Sequence, residues 1–115
     1  MVSDDTVRRT ALSLPEATEQ DHHGMASFRV RDKIFATVPD PDHIRTMVDE
    51  SEILAVVSAY PGVCEPRYWG KRLACVVVST HDAPSQLLQD LLTEAWLRKA
   101  PKHLAERLRQ SDRLD

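Results

Sequence analysis

Two short stretches carry the residues best suited to chemistry with an anion. Arg29, Arg31 and Lys33 cluster around one polar turn, and Arg67, Tyr68, Trp69, Lys71 and Arg72 follow one another farther along. Cations neutralise phosphate charge, and exposed rings stack on bases or sugars. If the two stretches adjoin in the fold, six cations and two aromatic rings share one face. The plainer alternative is that Tyr68 and Trp69 pack on a sheet while the cations solvate an outer strand face, where Lys and Arg guard against edge-to-edge aggregation.

Other constellations are weaker. Asp21-His22-His23 has metal-ligand types, but neighbouring strand residues point to opposite faces and cannot both ligate one ion, so a structural or surface role is expected and no metal. Asp4, Asp5, Asp49, Glu50 and Glu52 gather acidic charge, but helix N-termini attract negative charge and account for them without an ion. Ser79, His81 and Asp82 are the residue types of a hydrolytic triad. Packed within four positions, they cannot align nucleophile, base and orienting acid, and no G-x-S-x-G elbow is present. Gly24, Gly62 and Gly70 are isolated, so no phosphate-cradling glycine loop exists. Cys64 and Cys75 form no C-x-x-C pair and read as small buried hydrophobes. The expectation is a non-catalytic protein without cofactor.

The elements that must position these residues follow from periodicity. Val7, Ala11 and Leu14 repeat at helical spacing behind Ser3-Asp4-Asp5 and ahead of Pro15, predicting a helix over 4–13 capped by Ser3. Ala17 to Val38 alternates, with Phe28 and Val30 on one face and Ser27, Arg29 and Arg31 on the other. Ser27–Val30 and Ile34–Val38 are expected to pair as a hairpin across Arg31-Asp32-Lys33. Pro39-Asp40-Pro41-Asp42 reads as a loop, and Ile44–Val48 as a further strand. Asp49-Glu50-Ser51-Glu52 has the form of a capping box opening a helix to about Ala59, which Pro61-Gly62 stops. The Arg67 to Arg72 segment reads as a loop, and Leu73–Ser79, with Val76-Val77-Val78, as the central strand of the sheet. Leu87, Leu88, Leu91, Leu92, Ala95 and Trp96 define a long helix with Asp82 as N-cap and Arg98 and Lys99 at its negative end. Pro101 begins a last helix that buries Leu104, Ala105 and Leu108, with a frayed tail after Gln110.

Composition bounds the function. The 115 residues are 42% apolar and 29% charged with a net charge of −3, so the protein as a whole is no electrostatic glove for nucleic acid, and such a partner must meet a local patch. Residues 61–81 are where positive charge concentrates, with Arg67, Lys71 and Arg72 against Glu65 alone. No apolar stretch approaches the roughly 20 residues needed to cross a bilayer. The acidic N-terminus lacks the pattern of a signal peptide, and a cytoplasmic location without membrane contact is expected. Prolines fall at element boundaries and no repeat is visible, which reads as one domain over residues 1–115. The element order predicts an α+β fold in two layers, an antiparallel sheet with helices packed on one face.

The string Ala11-Leu12-Ser13-Leu14-Pro15-Glu16-Ala17, followed by His23-Gly24 and by Ser27-Phe28-Arg29-Val30-Arg31-Asp32-Lys33-Ile34-Phe35-Ala36, resembles the start of the MmcQ/YjbR family. Tyr68-Trp69-Gly70-Lys71-Arg72 and Glu94-Ala95-Trp96-Leu97-Arg98-Lys99-Ala100-Pro101-Lys102-His103-Leu104 continue the resemblance over nearly the whole chain. One departure is Leu73-Ala74, where many relatives place Gly-Trp, so any role of that indole is absent or moved here. The resemblance implies a CyaY/frataxin-like α+β fold. It also implies the DNA-binding label such proteins commonly carry, which rests on likeness to a "double wing" transcription-factor domain and names no substrate. The resulting expectation is weak, salt-sensitive DNA binding through Arg29, Arg31, Lys33, Arg67, Tyr68, Trp69, Lys71 and Arg72. The alternative is a protein-interaction or small-ligand module in which Tyr68 and Trp69 line a groove, and iron handling by the acidic helix ends ranks third.

Overall fold

A computed structural model describes residues 4–114, with side chains over 5–110. The elements are α1 (Asp4–Leu12), β1 (Ala17–His22), β2 (Met25–Val30), β3 (Lys33–Asp40), β4 (His43–Thr46), α2 (Glu50–Ala59), β5 (Cys64–Trp69), β6 (Arg72–Ser79), α3 (Ser85–Lys99) and α4 (Lys102–Leu114). The strands form one six-stranded sheet of order β1-β2-β3-β4-β6-β5. Every neighbouring pair is antiparallel.

Register decides what each face carries. Phe28 opposes Ala36 and Ile44 opposes Val78, so these side chains share a face. On that face they are buried in one cluster with Val7 and Ala11 of α1, Ile53 of α2, Leu88, Leu91 and Trp96 of α3, and Leu104 of α4. This is the two-layer α+β arrangement the element order predicts. The alternate residues, among them Arg29, Thr37 and Arg45, fall on the face away from that cluster.

The turns explain the register. Arg31 and Asp32 both adopt left-handed backbone (φ 50° and 67°), as do His23 and Gly24 (φ 53° and 85°). Positive φ at both central residues is the twist-matched two-residue hairpin connection. α2 begins as its capping box requires, with Asp49 Oδ1 accepting from the Glu52 amide at 2.9 Å.

Several expectations change. β3 runs through Pro39 to Asp40 where a loop was expected, because the ladder is already irregular between Thr37 and Asp40 and Pro39 has no bond to donate there. β4 ends at Thr46 instead of Val48, and Arg98 takes the Met47 and Val48 carbonyls at 3.1 and 3.0 Å. The Arg67 to Arg72 segment is no loop: residues 64–69 are edge strand β5, hairpinned to β6. Pro66 is tolerated on an edge, and the exposure of Glu65 through Trp69 removes the apolar alternation by which a strand is recognised. β6 lies second from the edge and is not central. The N-cap of α3 is Pro84, with no side-chain cap bond, and Asp82 accepts instead from Ser79 Oγ at 3.1 Å. α1 ends at Leu12, and Ser3 lies outside the described residues. α4 continues as helix to Leu114 where fraying was expected after Gln110.

Candidate functional site

The β2–β3 and β5–β6 hairpins turn at the same end of the sheet, because β3, β4 and β6 alternate in direction between them. The C-terminus of α3 arrives at that end too, held by the bonds from Arg98 to the strand-end carbonyls of Met47 and Val48. Three chain segments remote in sequence thus meet at the face of the sheet that lacks the helix-packed core.

They enclose a cavity of about 510 Å³, within the range of about 300–1,000 Å³ that holds small ligands. Among the described residues its cations are Arg29, Lys33, Arg45, Arg72, Arg98 and Lys99, and Asp32 is its one carboxylate. Met25, Ile34, Met47, Ala74 and Trp69 supply apolar lining. On a chain of net charge −3, this concentrates positive potential in one concave place.

The cations are held in position. Arg29 Nε donates to Ser27 Oγ at 3.1 Å, and that buried hydroxyl donates to the Gln20 carbonyl at 2.8 Å. The Arg72 guanidinium lies 5.6 Å from the centroid of the Trp69 ring, a cation–π contact on a ring that is 51% exposed. Burial first, then the charges of Arg98, Arg72 and Lys33, hold the Lys99 ammonium below the ordinary lysine range.

Of the eight residues singled out by sequence, Arg29, Lys33, Trp69 and Arg72 line the cavity. Arg31 does not; it makes a two-point pair with Glu16, Nε to Oε1 at 2.7 Å and Nη2 to Oε2 at 3.1 Å. Tyr68 is 55% exposed, and Arg67 and Lys71 are exposed, but none of the three lines the cavity. Sequence reasoning missed Arg45, Thr37, Arg98 and Lys99. Alternation with Ile44 does mark Arg45 as facing away from the core, whereas Arg98 and Lys99 read simply as charges suited to a helix C-terminus.

The Glu16–Arg31 pair carries a pH prediction. The bond from Arg31 holds the Glu16 carboxyl below its ordinary value of 4.5, so the pair's stabilisation is complete above that pH and is lost as pH falls through the lower folded value. Arg31→Ala is therefore expected to lower the melting temperature at pH 7 and to approach the parent in acid, as the Glu16 carboxyl becomes protonated in both proteins. A gap that persists there rules the carboxylate out as its source.

The remaining constellations resolve differently from the cavity. His22 and His23 both line it, with ring centroids 4.5 Å apart, because the left-handed backbone at His23 breaks the strand alternation expected to separate them. His81 Nε2 pairs with Asp42, outside the trio, and Ser79 Oγ bonds the acid Asp82 and not the base, so the bonds do not run in the order a triad needs. Cys64 and Cys75 are buried free thiols, and burial pushes Cys64 up to about 11, which keeps it protonated and unreactive at neutral pH. Among the described residues, no helix is long and apolar enough to cross a membrane.

A family model described as YjbR matches residues 12–98, a span that includes every cavity residue named above except Lys99. Among solved structures, the chain is similar to the crystal structure of Deinococcus radiodurans protein DR2400, assigned the family-model domain DUF419. The TM-score is 0.74 at 23% identity, over 85% of this chain and 78% of that one, and at such identity the likeness establishes fold alone. No curated protein matches the chain.

Proposed function

The chain belongs to the MmcQ/YjbR family, and from that premise we propose that it is a non-catalytic module binding single-stranded nucleic acid, with phosphates in the cationic cavity and a base on Trp69. The observation that carries this reading is the excess of six Lys and Arg over one carboxylate around a half-exposed indole. Phosphates supply the anions such a site lacks, and a base supplies the π-face the ring can stack on. A single strand suits it better than a duplex, whose stacked bases hide their faces and whose rigid convex backbone does not enter a cavity. A basic protein partner, which the overall acidity would favour, is repelled at this surface.

The molecule provides its own reporter. Its two tryptophans are Trp96, fully buried, and Trp69. Titrating a short oligodeoxythymidylate with hydroxyl ends is expected to quench Trp69 fluorescence. Affinity should fall steeply between about 50 and about 200 mM salt, with a log-log slope near −0.7 for each cation engaged on a single strand. Trp69→Phe should abolish the quench and weaken binding. Salt-insensitive binding, or a quench that survives Trp69→Phe, would refute the reading.

A further inference from the structure

The floor of the cavity holds two polar atoms with nothing to bond. Thr37 is 4% exposed, and among the described residues its Oγ1 has no hydrogen-bond partner; Nε of Arg45, its cross-strand neighbour, has none among them either. Buried polar groups are ordinarily satisfied; the hydroxyls of Thr46 and Thr80 are unpaired in the same way, but only Thr37 and Arg45 line the cavity, where a group that enters it can bond them. A guanidinium Nε–H can only donate and a hydroxyl can donate, so the group that both can bond is an acceptor. The surrounding cations give the same answer, since Lys33, Arg72 and Arg98 lie close enough to Lys99 to bear on its ammonium.

An internal phosphodiester carries one negative charge, and its chain must both enter and leave. A terminal phosphate carries nearly two charges at neutral pH and three acceptor oxygens, and it ends the chain. A floored, multiply cationic cavity matches the second case. We propose that this cavity is a phosphomonoester pocket that takes the terminal phosphate of a nucleotide, with Lys33, Arg72 and Lys99 around the anion and Thr37 and Arg45 donating from the floor. This specifies the ligand of the single-strand reading and rests on it for the nucleotide; the phosphomonoester chemistry is common to a strand end and a free mononucleotide.

The experiment compares four probes on the full chain: hydroxyl-ended oligothymidylate, the same strand 5′-phosphorylated, free thymidine 5′-monophosphate, and thymidine. The phosphorylated strand is expected to bind at least about tenfold more tightly than its hydroxyl-ended counterpart, the monophosphate to compete with it, and thymidine to do neither. Equal affinity for both strands overturns the phosphate pocket while leaving single-strand binding intact. Binding of the monophosphate with neither strand bound supports the pocket and refutes the nucleic-acid reading. Binding of none of the four overturns both.

Thr37→Val separates recognition from folding. It replaces an unpaired buried hydroxyl by a methyl of similar shape, so the unliganded melting temperature should hold or rise. Affinity for the phosphorylated strand should nevertheless drop about tenfold, and that for the hydroxyl-ended strand should not change. Unchanged affinity for the phosphorylated strand overturns the role of the floor, and a parallel loss on both strands overturns its specificity for the terminal phosphate.

Discussion

Replacing Lys33 and Arg72 together by glutamate is expected to weaken single-strand binding roughly a hundredfold at low salt and to shallow the salt dependence by about 1.4 log units per decade. The two residues belong to different hairpins and line the same cavity. Their reversal turns six cations against one carboxylate into four against three. Each change removes a counter-charge for phosphate and adds a repulsion, worth roughly tenfold apiece. Both residues are exposed, so folding should shift by no more than about 0.5 kcal/mol. The control is Arg67→Glu with Lys71→Glu, which alters net charge by the same amount on exposed residues outside the cavity. If the control pair weakens binding as much as the cavity pair, attraction is diffuse and the cavity has no special part in it.

Trp96→Ala is expected to cost about 3–5 kcal/mol of folding stability. The indole is fully buried within the cluster where the helices meet the sheet. Its Nε1 donates to the Pro15 carbonyl at 3.0 Å, tying α3 to the link between α1 and β1. Emptying such a site costs about 3–5 kcal/mol, a large share of the roughly 5–15 kcal/mol that holds a domain folded. The urea midpoint should fall accordingly, and a loss below about 1 kcal/mol would show the cluster to be loosely packed. Trp96→Phe keeps most of the volume but orphans the Pro15 carbonyl, a smaller penalty of about 1–3 kcal/mol. That variant also leaves Trp69 as the sole tryptophan, so the same protein serves the binding titration.

How much of this was legible beforehand varies element by element. α2 and the core of α3 were plain, because a capping box and a run of leucines at helical spacing are local signals. The β2–β3 hairpin was equally plain, because Phe28 and Val30 alternate with Ser27 and Arg29. β5 was hidden because an edge strand exposed from Glu65 to Trp69 shows no apolar alternation. The site divides in the same way. Arg29, Lys33, Trp69 and Arg72 were conspicuous as clustered cations beside a ring. Arg31, identical in type and next in line, belongs instead to Glu16. No spacing rule distinguishes it from Arg29; the left-handed turn at residues 31 and 32 does.

Local periodicity, caps and turn residues therefore determined the α+β layering and which strand residues face away from the core, since each depends on neighbours a few positions apart. The cavity was decided only in three dimensions. It needs the register that sets Thr37 beside Arg45, the strand directions that bring two hairpin turns to one end, and the bonds by which Arg98 fastens α3 there. Those are contacts between residues distant along the chain, and charges gathered that way leave no periodic trace in the order of the amino acids.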